Sequence, residues 1–221
     1  MIRRNVALAM CMLASAASWA GAQGKAAKKT ADTQTTTVRF VVAATGNEAR
    51  YRVREQLVNL DLPNDAVGVT HEITGMLLVN PNGSVVTDSS RIVVNVSALK
   101  SDKDRRDAFI KRRTMETDKY PTVTLVPKSF IGLTAKPGAA PCVFDIVGDL
   151  TVHGVTRPVT WKAIAHAEGS DIVGTATTAF TFKDFSLDQP KVSVLLSVED
   201  TIKLEYDFRF TPAPKSSTAG Q

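Results

Sequence analysis

The sequence predicts an all-β protein, a closed antiparallel β-barrel of about eight strands with one helix. Apolar and polar residues alternate with period two through most of Thr37–Thr211, which gives each strand one dry and one wet face. Turn-forming sequences cut that interval into strand-length pieces: Thr45-Gly46-Asn47, Asn80-Pro81-Asn82-Gly83, Pro137-Gly138, His153-Gly154, Gly169-Ser170 and Gln189-Pro190. Only one stretch, from Ser101 to Arg113, carries helix signals. Many antiparallel strands in an open sheet leave bare edges, and closing the sheet removes them. A two-sheet sandwich fits the same pattern and stays open as an alternative.

Residues 1–22 read as a signal peptide. Arg3 and Arg4 precede an apolar run from Val6 to about Ala17, and Ala20-Gly21-Ala22 has the small-x-small form that is cut, leaving Gln23 as the first mature residue. Leu8-Ala9-Met10-Cys11 ends like a lipobox, but Met10 is a poor residue before such a cut. The expected location is therefore the periplasm. Nothing downstream supplies the ~18 apolar residues of a membrane-spanning helix. Residues 23–36, rich in Lys, Ala and Thr, read as a disordered spacer, 37–211 as the barrel domain and 212–221 as a flexible tail. With Arg3 and Arg4 removed, the formal net charge of +5 becomes +3, a balance that favours neither nucleic acid nor an acidic partner. Cys142 is then the single cysteine and reads as a small buried hydrophobe at a strand start.

Strands follow in order. Val38-Arg39-Phe40 opens the domain, and Ala49–Arg54 alternates apolar residues with Arg50, Arg52 and Arg54. Val69–Val79 reads as one strand. Ile92, Val94 and Val96 share a face in the next. The helix comes after them: Ser101 and Asp104 have the spacing of a capping box, Asp102/Arg106 and Asp107/Lys111 stand four apart, and Lys111, Arg112 and Arg113 gather at the C-terminal end, where the dipole favours cations. Pro121–Phe130, Val143–Val152, Arg157–Ala167 and Asp171–Phe182 are further strands. The last is the clearest, with Val198, Asp200, Ile202, Leu204, Tyr206, Phe208 and Phe210 on one face and charged or polar residues on the other.

An eight-stranded barrel is either filled by its side chains or holds one small ligand. Gly174 and Ala176 share parity with Phe180 and Phe182, and Ala163 and Ala165 follow Trp161 on its face, so small residues lie on faces that should be dry. Both a cavity and a filled core satisfy this pattern.

Arg106-Asp107, Tyr120-Pro121-Thr122, the run Leu150-Thr151-Val152-His153-Gly154-Val155-Thr156-Arg157-Pro158-Val159, and Asp184-Phe185 resemble, in order and spacing, the YceI-like polyisoprenoid-binding family of exported proteins. The resemblance covers about Thr37 to Phe210. It implies a lipocalin-like barrel whose apolar interior holds an isoprenoid, quinone-like or polyprenyl, or a fatty chain, and it implies binding rather than catalysis. The chain departs from the family pattern at Glu48–Arg54, in the longer segment Glu55–Val69, and at Phe182-Lys183-Asp184-Phe185-Ser186, all on lining or rim positions.

On that reading, parity assigns the ligand-binding lining to Phe40, Tyr51, Val53, Ile92, Val94, Val96, Val123, Leu125, Leu150, Val152, Trp161, Gly174, Ala176, Phe180, Phe182, Ile202, Leu204, Tyr206 and Phe208, with Phe109 and Ile110 closing one end. A one-residue slip in any strand would turn its set outward. No metal site and no cofactor other than a bound lipid are expected, because His71, His153 and His166 lack ligand spacing. His153 reads as a barrel-end hydrogen bond. Asp145 and Asp149 read as a solvated exterior, and Arg50, Arg52 and Arg54 read as a wet face or, alternatively, as an anion-attracting rim. The expected partner is a hydrophobic lipid, with peripheral contact to a membrane or a membrane redox protein and a homodimer left open. Two other functions compete: a barrel enzyme acting on a lipid or quinone through Tyr51, Tyr206 and His153, and an accessory module for a membrane redox partner.

Overall fold

Ten antiparallel strands form a single sheet in the order β1-β4-β5-β6-β7-β8-β9-β10-β2-β3, and β1 pairs with β10 as well as with β4, which closes the ring. The strands are β1 (Val38–Val42), β2 (Glu48–Leu57), β3 (Asn64–Thr70), β4 (Ile73–Val79), β5 (Arg91–Asn95), β6 (Thr122–Ile131), β7 (Cys142–Val152), β8 (Val155–Glu168), β9 (Asp171–Thr181) and β10 (Leu195–Pro212). The computed structural model describes residues 37–133 and 136–214, so the expected signal peptide, the spacer and the tail from 215 lie outside the described residues. No helix among the described residues is long and apolar enough to cross a membrane.

Eight staves make the barrel, because two of them are broken in the middle. β1 and β2 lie end to end along β10, β1 against Phe210–Pro212 and β2 against Leu195–Asp207. β3 and β4 follow on their far side. The single strand expected over Val69–Val79 is thus corrected to two strands parted at His71 and Glu72, with β3 reaching back to Asn64. Two tight hairpins follow from their turn residues. His153 and Gly154, at φ of 50° and 75°, link β7 to β8 as a type I′ pair, while Gly169, at φ of 62°, opens the β8–β9 turn.

The helix differs from its sequence reading. α1 (Asp104–Phe109) is followed by a wide π turn over Ile110–Thr114, and its N-cap is Lys103, which offers no side-chain cap. Ser101 does not cap Asp104. Its hydroxyl instead donates to Asp107 Oδ1 at 2.6 Å, and its N–H donates to the same oxygen at 2.9 Å. Asp107 is thereby held by Ser101, not by Lys111, whereas the Asp102–Arg106 pair does form.

The wet face of β2 is a ladder of charges. Arg50 pairs with Glu48, Glu205 and Asp207, Arg52 with Glu205 and Asp65, and Arg54 with Asp65. With each guanidinium matched to carboxylates on its own or a neighbouring strand, the row is a cross-strand network, which corrects the anion-attracting rim. Asp145 and Asp149 are likewise exterior, paired with Lys162 and Lys128. Hydrogen bonds from Arg52 hold the Glu205 carboxyl below its ordinary 4.5, and Arg54 does the same for Asp65 relative to 3.8. A carboxyl lowered by folding contributes stability that is complete above the unfolded value and is lost as pH falls through the folded one. The gap in melting temperature between the wild type and Arg52→Gln is therefore expected to be widest near neutrality and to shrink below about pH 4. Melting scans across that range check it.

Candidate functional site

The barrel interior is divided into two chambers. The larger, about 690 Å³, lies at the helix end between β2, β3, β10, α1 and the segment Leu187–Val194. The smaller, about 180 Å³, lies at the opposite end between β1, β4, β6, β7 and β10. A volume of several hundred Å³ is that of a ligand pocket, and 180 Å³ is below that range.

Size matching across the sheet produces this division. Phe144 stands opposite Ala163, Tyr206 opposite Ala176 and Phe208 opposite Gly174, so at the far end these three rings sit over small residues on the next strand. A Cβ at Gly174 would collide with the Ile164 carbonyl oxygen and the tip of the Phe208 ring. Gly174 therefore makes room for Phe208 and faces no open space, a correction to its assignment as lining. Ala176, 2 % exposed, borders the smaller chamber. At the helix end the walls carry Val53, Val123, Leu204 and Phe180, and a space of about 690 Å³ persists between them.

Of the assigned lining, Tyr51, Val53, Val96, Phe109, Ile110, Val123, Val152, Phe180, Phe182, Ile202 and Leu204 border the larger chamber. Phe40, Ile92, Leu125, Trp161, Ala176, Tyr206 and Phe208 border the smaller. Val94 and Leu150 border neither, because they are taken up in the packed wall between strands. Tyr51 and Tyr206 thus belong to different chambers, and His153 is held elsewhere, so the cluster that the enzyme reading needs does not assemble. Tyr206 donates to Asn47 Oδ1 at 3.1 Å, and burial pushes its phenol well above the ordinary value.

Sequence reasoning missed the polar part of the larger chamber. Glu55 continues the inward parity of Tyr51 and Val53, and it is buried. Its Oε1 accepts from Arg106 Nη2 at 2.5 Å and from Asn64 Nδ2 at 3.3 Å. This pair fastens α1 to the barrel wall across the chamber. An acidic residue on a dry strand face was the available signal, but its partner is 51 positions away. Tyr51 Oη, Asn64 Oδ1 and Thr114 Oγ1 are closed to water and have no hydrogen-bond partner. All three side chains line this chamber.

The mouth is marked by lining residues that are also exposed: Leu60, Val194, Lys103 and Arg105. Beside these residues in the chain, Val58, Leu196 and Leu62 are 51%, 65% and 76% exposed, and the Val58 N–H to Val194 carbonyl bond at 3.0 Å joins the two sides of this apolar lip.

The residues that carry the family resemblance fasten the helix end together. His153 Nε2 lies 2.7 Å from Glu116 Oε2, and its ring packs edge-on against Tyr120 at 4.5 Å. Arg157 Nε donates to the Asp184 carbonyl at 3.1 Å. Asp184 in turn completes a capping box with Thr181, and Phe185 is fully buried edge-on against Phe180. These contacts brace the turns that carry Met115, Val152 and Phe182 into the larger chamber.

Comparison with known proteins agrees with this architecture. A UPF0312 protein of Pseudomonas putida (strain GB-1) is 34% identical over 116 residues, 48% of this chain and 57% of that protein. Protein YceI of Shigella flexneri is 29% identical over 125 residues, 51% of this chain and 62% of that protein. The chain thus spans a little over half the length of the curated relatives it matches. Among solved structures, a polyisoprenoid binding domain from Saccharophagus degradans, implicated in plant cell wall breakdown, has the same fold. It superposes with a TM-score of 0.61 at 12% identity, covering 80% of this chain and 100% of that one. The YceI-like domain model matches residues 29–210, which takes in nine strands and almost all of the tenth, and the chain belongs to that family.

Proposed function

We propose that this protein is a carrier that encloses the chain of an isoprenoid or fatty lipid in the larger chamber, and that it is exported to the periplasm. The observation that carries the reading is an apolar chamber of about 690 Å³, opened at an apolar lip and closed by a helix latched through Glu55 and Arg106. Each CH₂ moved from water into such a chamber contributes roughly 0.8 kcal/mol, so a few isoprene units hold firmly. The polyisoprenoid binding described for the Saccharophagus degradans domain supports the same ligand class. The proposed role is binding, with no catalytic step.

Leu60 and Val194 belong both to the chamber and to its exposed lip, so a chain could pass between a bilayer and the chamber without crossing water. Exchange at a membrane surface is therefore part of the proposal. Solvent extraction and mass spectrometry of protein purified from the periplasmic fraction test the first part, with a stoichiometric prenyl or acyl lipid expected. An empty chamber that also fails to take up added prenyl lipid would overturn it. Leu62→Asp is expected to slow lipid transfer between vesicles severalfold while leaving bound lipid unchanged, and an unaltered transfer rate would remove the lip from the account.

A further inference from the structure

α1 covers the larger chamber without belonging to the core. Arg105, Arg106 and Phe109 border the chamber, yet no residue of the helix is buried. Six residues are too few to hold a helix in water by themselves, so its order depends on what fastens it. The two ends are fastened differently. Past the π turn, Thr114, Met115 and Thr117 are buried, the Thr117 N–H donates to the Lys111 carbonyl at 2.8 Å, and Glu116 Oε2 lies 2.7 Å from His153 Nε2 on the β7–β8 hairpin. Ahead of the helix, Lys100 is tied to the wall, its N–H and carbonyl bonded to Val69 at 2.9 and 2.7 Å. From Ser101 to Phe109, the bond from Arg106 to Glu55 is the one hydrogen bond or ion pair to a strand among the described residues.

This latch also stands at the mouth. Lys103 and Arg105 at the helix start, and Leu60 just past β2, are exposed and line the chamber. Resting on the carrier reading, we infer that α1 is a lid: its N-terminal end lifts off β2 when the Glu55–Arg106 pair opens, it pivots on the π turn Ile110–Thr114, and this motion admits and releases the lipid. A π turn breaks the regular helical ladder, and such breaks often mark functional hinges. Lifting a helix that buries no residue exposes little apolar surface, and it returns both charges of the pair to water, which offsets part of the lost attraction. Local opening of this kind costs less than unfolding the barrel.

The test reads hydrogen exchange on the apo protein and release of a bound fluorescent prenyl probe into acceptor vesicles. Wild-type α1 amides are expected to exchange about tenfold faster than those of Met115, Thr117 and Tyr120 at the pinned end. Glu55→Gln removes the charge of the latch at nearly constant shape. It should speed both α1 exchange and probe release by about three- to tenfold and leave the pinned-end amides unchanged. In a Cys142→Ser background, Leu60→Cys/Lys103→Cys bridged by a bis-maleimide ties the lifting end to the lip, and release should slow about tenfold relative to the same protein unbridged. Faster exchange at both ends in Glu55→Gln would mean a general loosening, and the bridged protein then decides. Release that is the same bridged and unbridged, or α1 amides that exchange at the rate of the pinned end, overturns the lid. A wild type that takes up no probe removes the carrier reading instead, and hydrogen exchange then still shows whether the helix lifts.

Discussion

Arg106→Met is expected to destabilise the barrel by about 3–5 kcal/mol, because it leaves the Glu55 carboxylate buried without a counter-charge, with only a hydrogen bond from the Asn64 amide. The Arg106 side chain is 13% exposed and that of Glu55 8%, so neither end of the pair can turn to water without moving the helix. Coulomb attraction at such a site is strong, but so is the cost of desolvating both groups. The pair is thus worth more as a latch than as a net source of stability. The double variant Arg106→Met/Glu55→Leu should accordingly recover most of the loss. Urea unfolding of the wild type and both variants checks the sign and size. A single variant within about 1 kcal/mol of wild type would mean that α1 is not fastened through this pair.

Phe208→Ala is expected to cost about 3–5 kcal/mol, the usual price of a buried ring whose neighbours cannot close over the void. Phe208 fills the space that Gly174 leaves and stands between Tyr206 and Phe210, with ring centroids 5.7 Å from each. Phe180→Ala offers the contrast. It borders the larger chamber of about 690 Å³, whereas Phe208 borders only the one of about 180 Å³ and is packed against Gly174, Tyr206 and Phe210, so removing Phe180 widens an already open space and the loss should be clearly smaller. Denaturant midpoints for the two variants decide whether the interior is filled at one end and open at the other. Equal losses would argue for a uniformly packed barrel.

The strand pattern was legible because one wet and one dry face leave an alternation that no other structure produces. In β10, from Ile202 to Phe210 the inward residues are buried or half-buried as parity requires. The His153-Gly154 hairpin was legible for a local reason, since both positions take positive φ. β3 was not. Asn64-Asp65-Ala66-Val67-Gly68-Val69-Thr70 contains residues that disfavour strands, and it is held by its pairing with β2 rather than by propensity. Gly68 is required there, because the Tyr51 ring occupies the place of a Cβ.

The site was legible by face but not by depth. Parity turns Leu150 and Gly174 inward and says nothing of whether Phe208 reaches across to fill the gap, since that depends on register between strands far apart in sequence. The polar floor was hidden for the same reason. Glu55, Asn64, Arg106 and Thr114 come from β2, β3, α1 and the π turn, and no local motif announces that they meet around one chamber. Helix signals were read correctly in kind, yet Asp107 serves Ser101 from inside the first turns, a geometry the capping-box spacing does not reveal.

The central claim is that the larger chamber, and not the Trp161 end, holds the lipid. Val123→Trp/Leu204→Trp places two indoles in the larger chamber, whereas Ala176→Phe places a ring at the smaller one. Bound lipid per barrel, measured by extraction alongside apo-protein unfolding, separates the two. The account predicts that the double tryptophan variant loses its lipid at near-wild-type stability, while Ala176→Phe keeps its lipid and is destabilised by about 1–3 kcal/mol through overpacking. Full lipid occupancy in the double variant, with loss of lipid in Ala176→Phe, would contradict it.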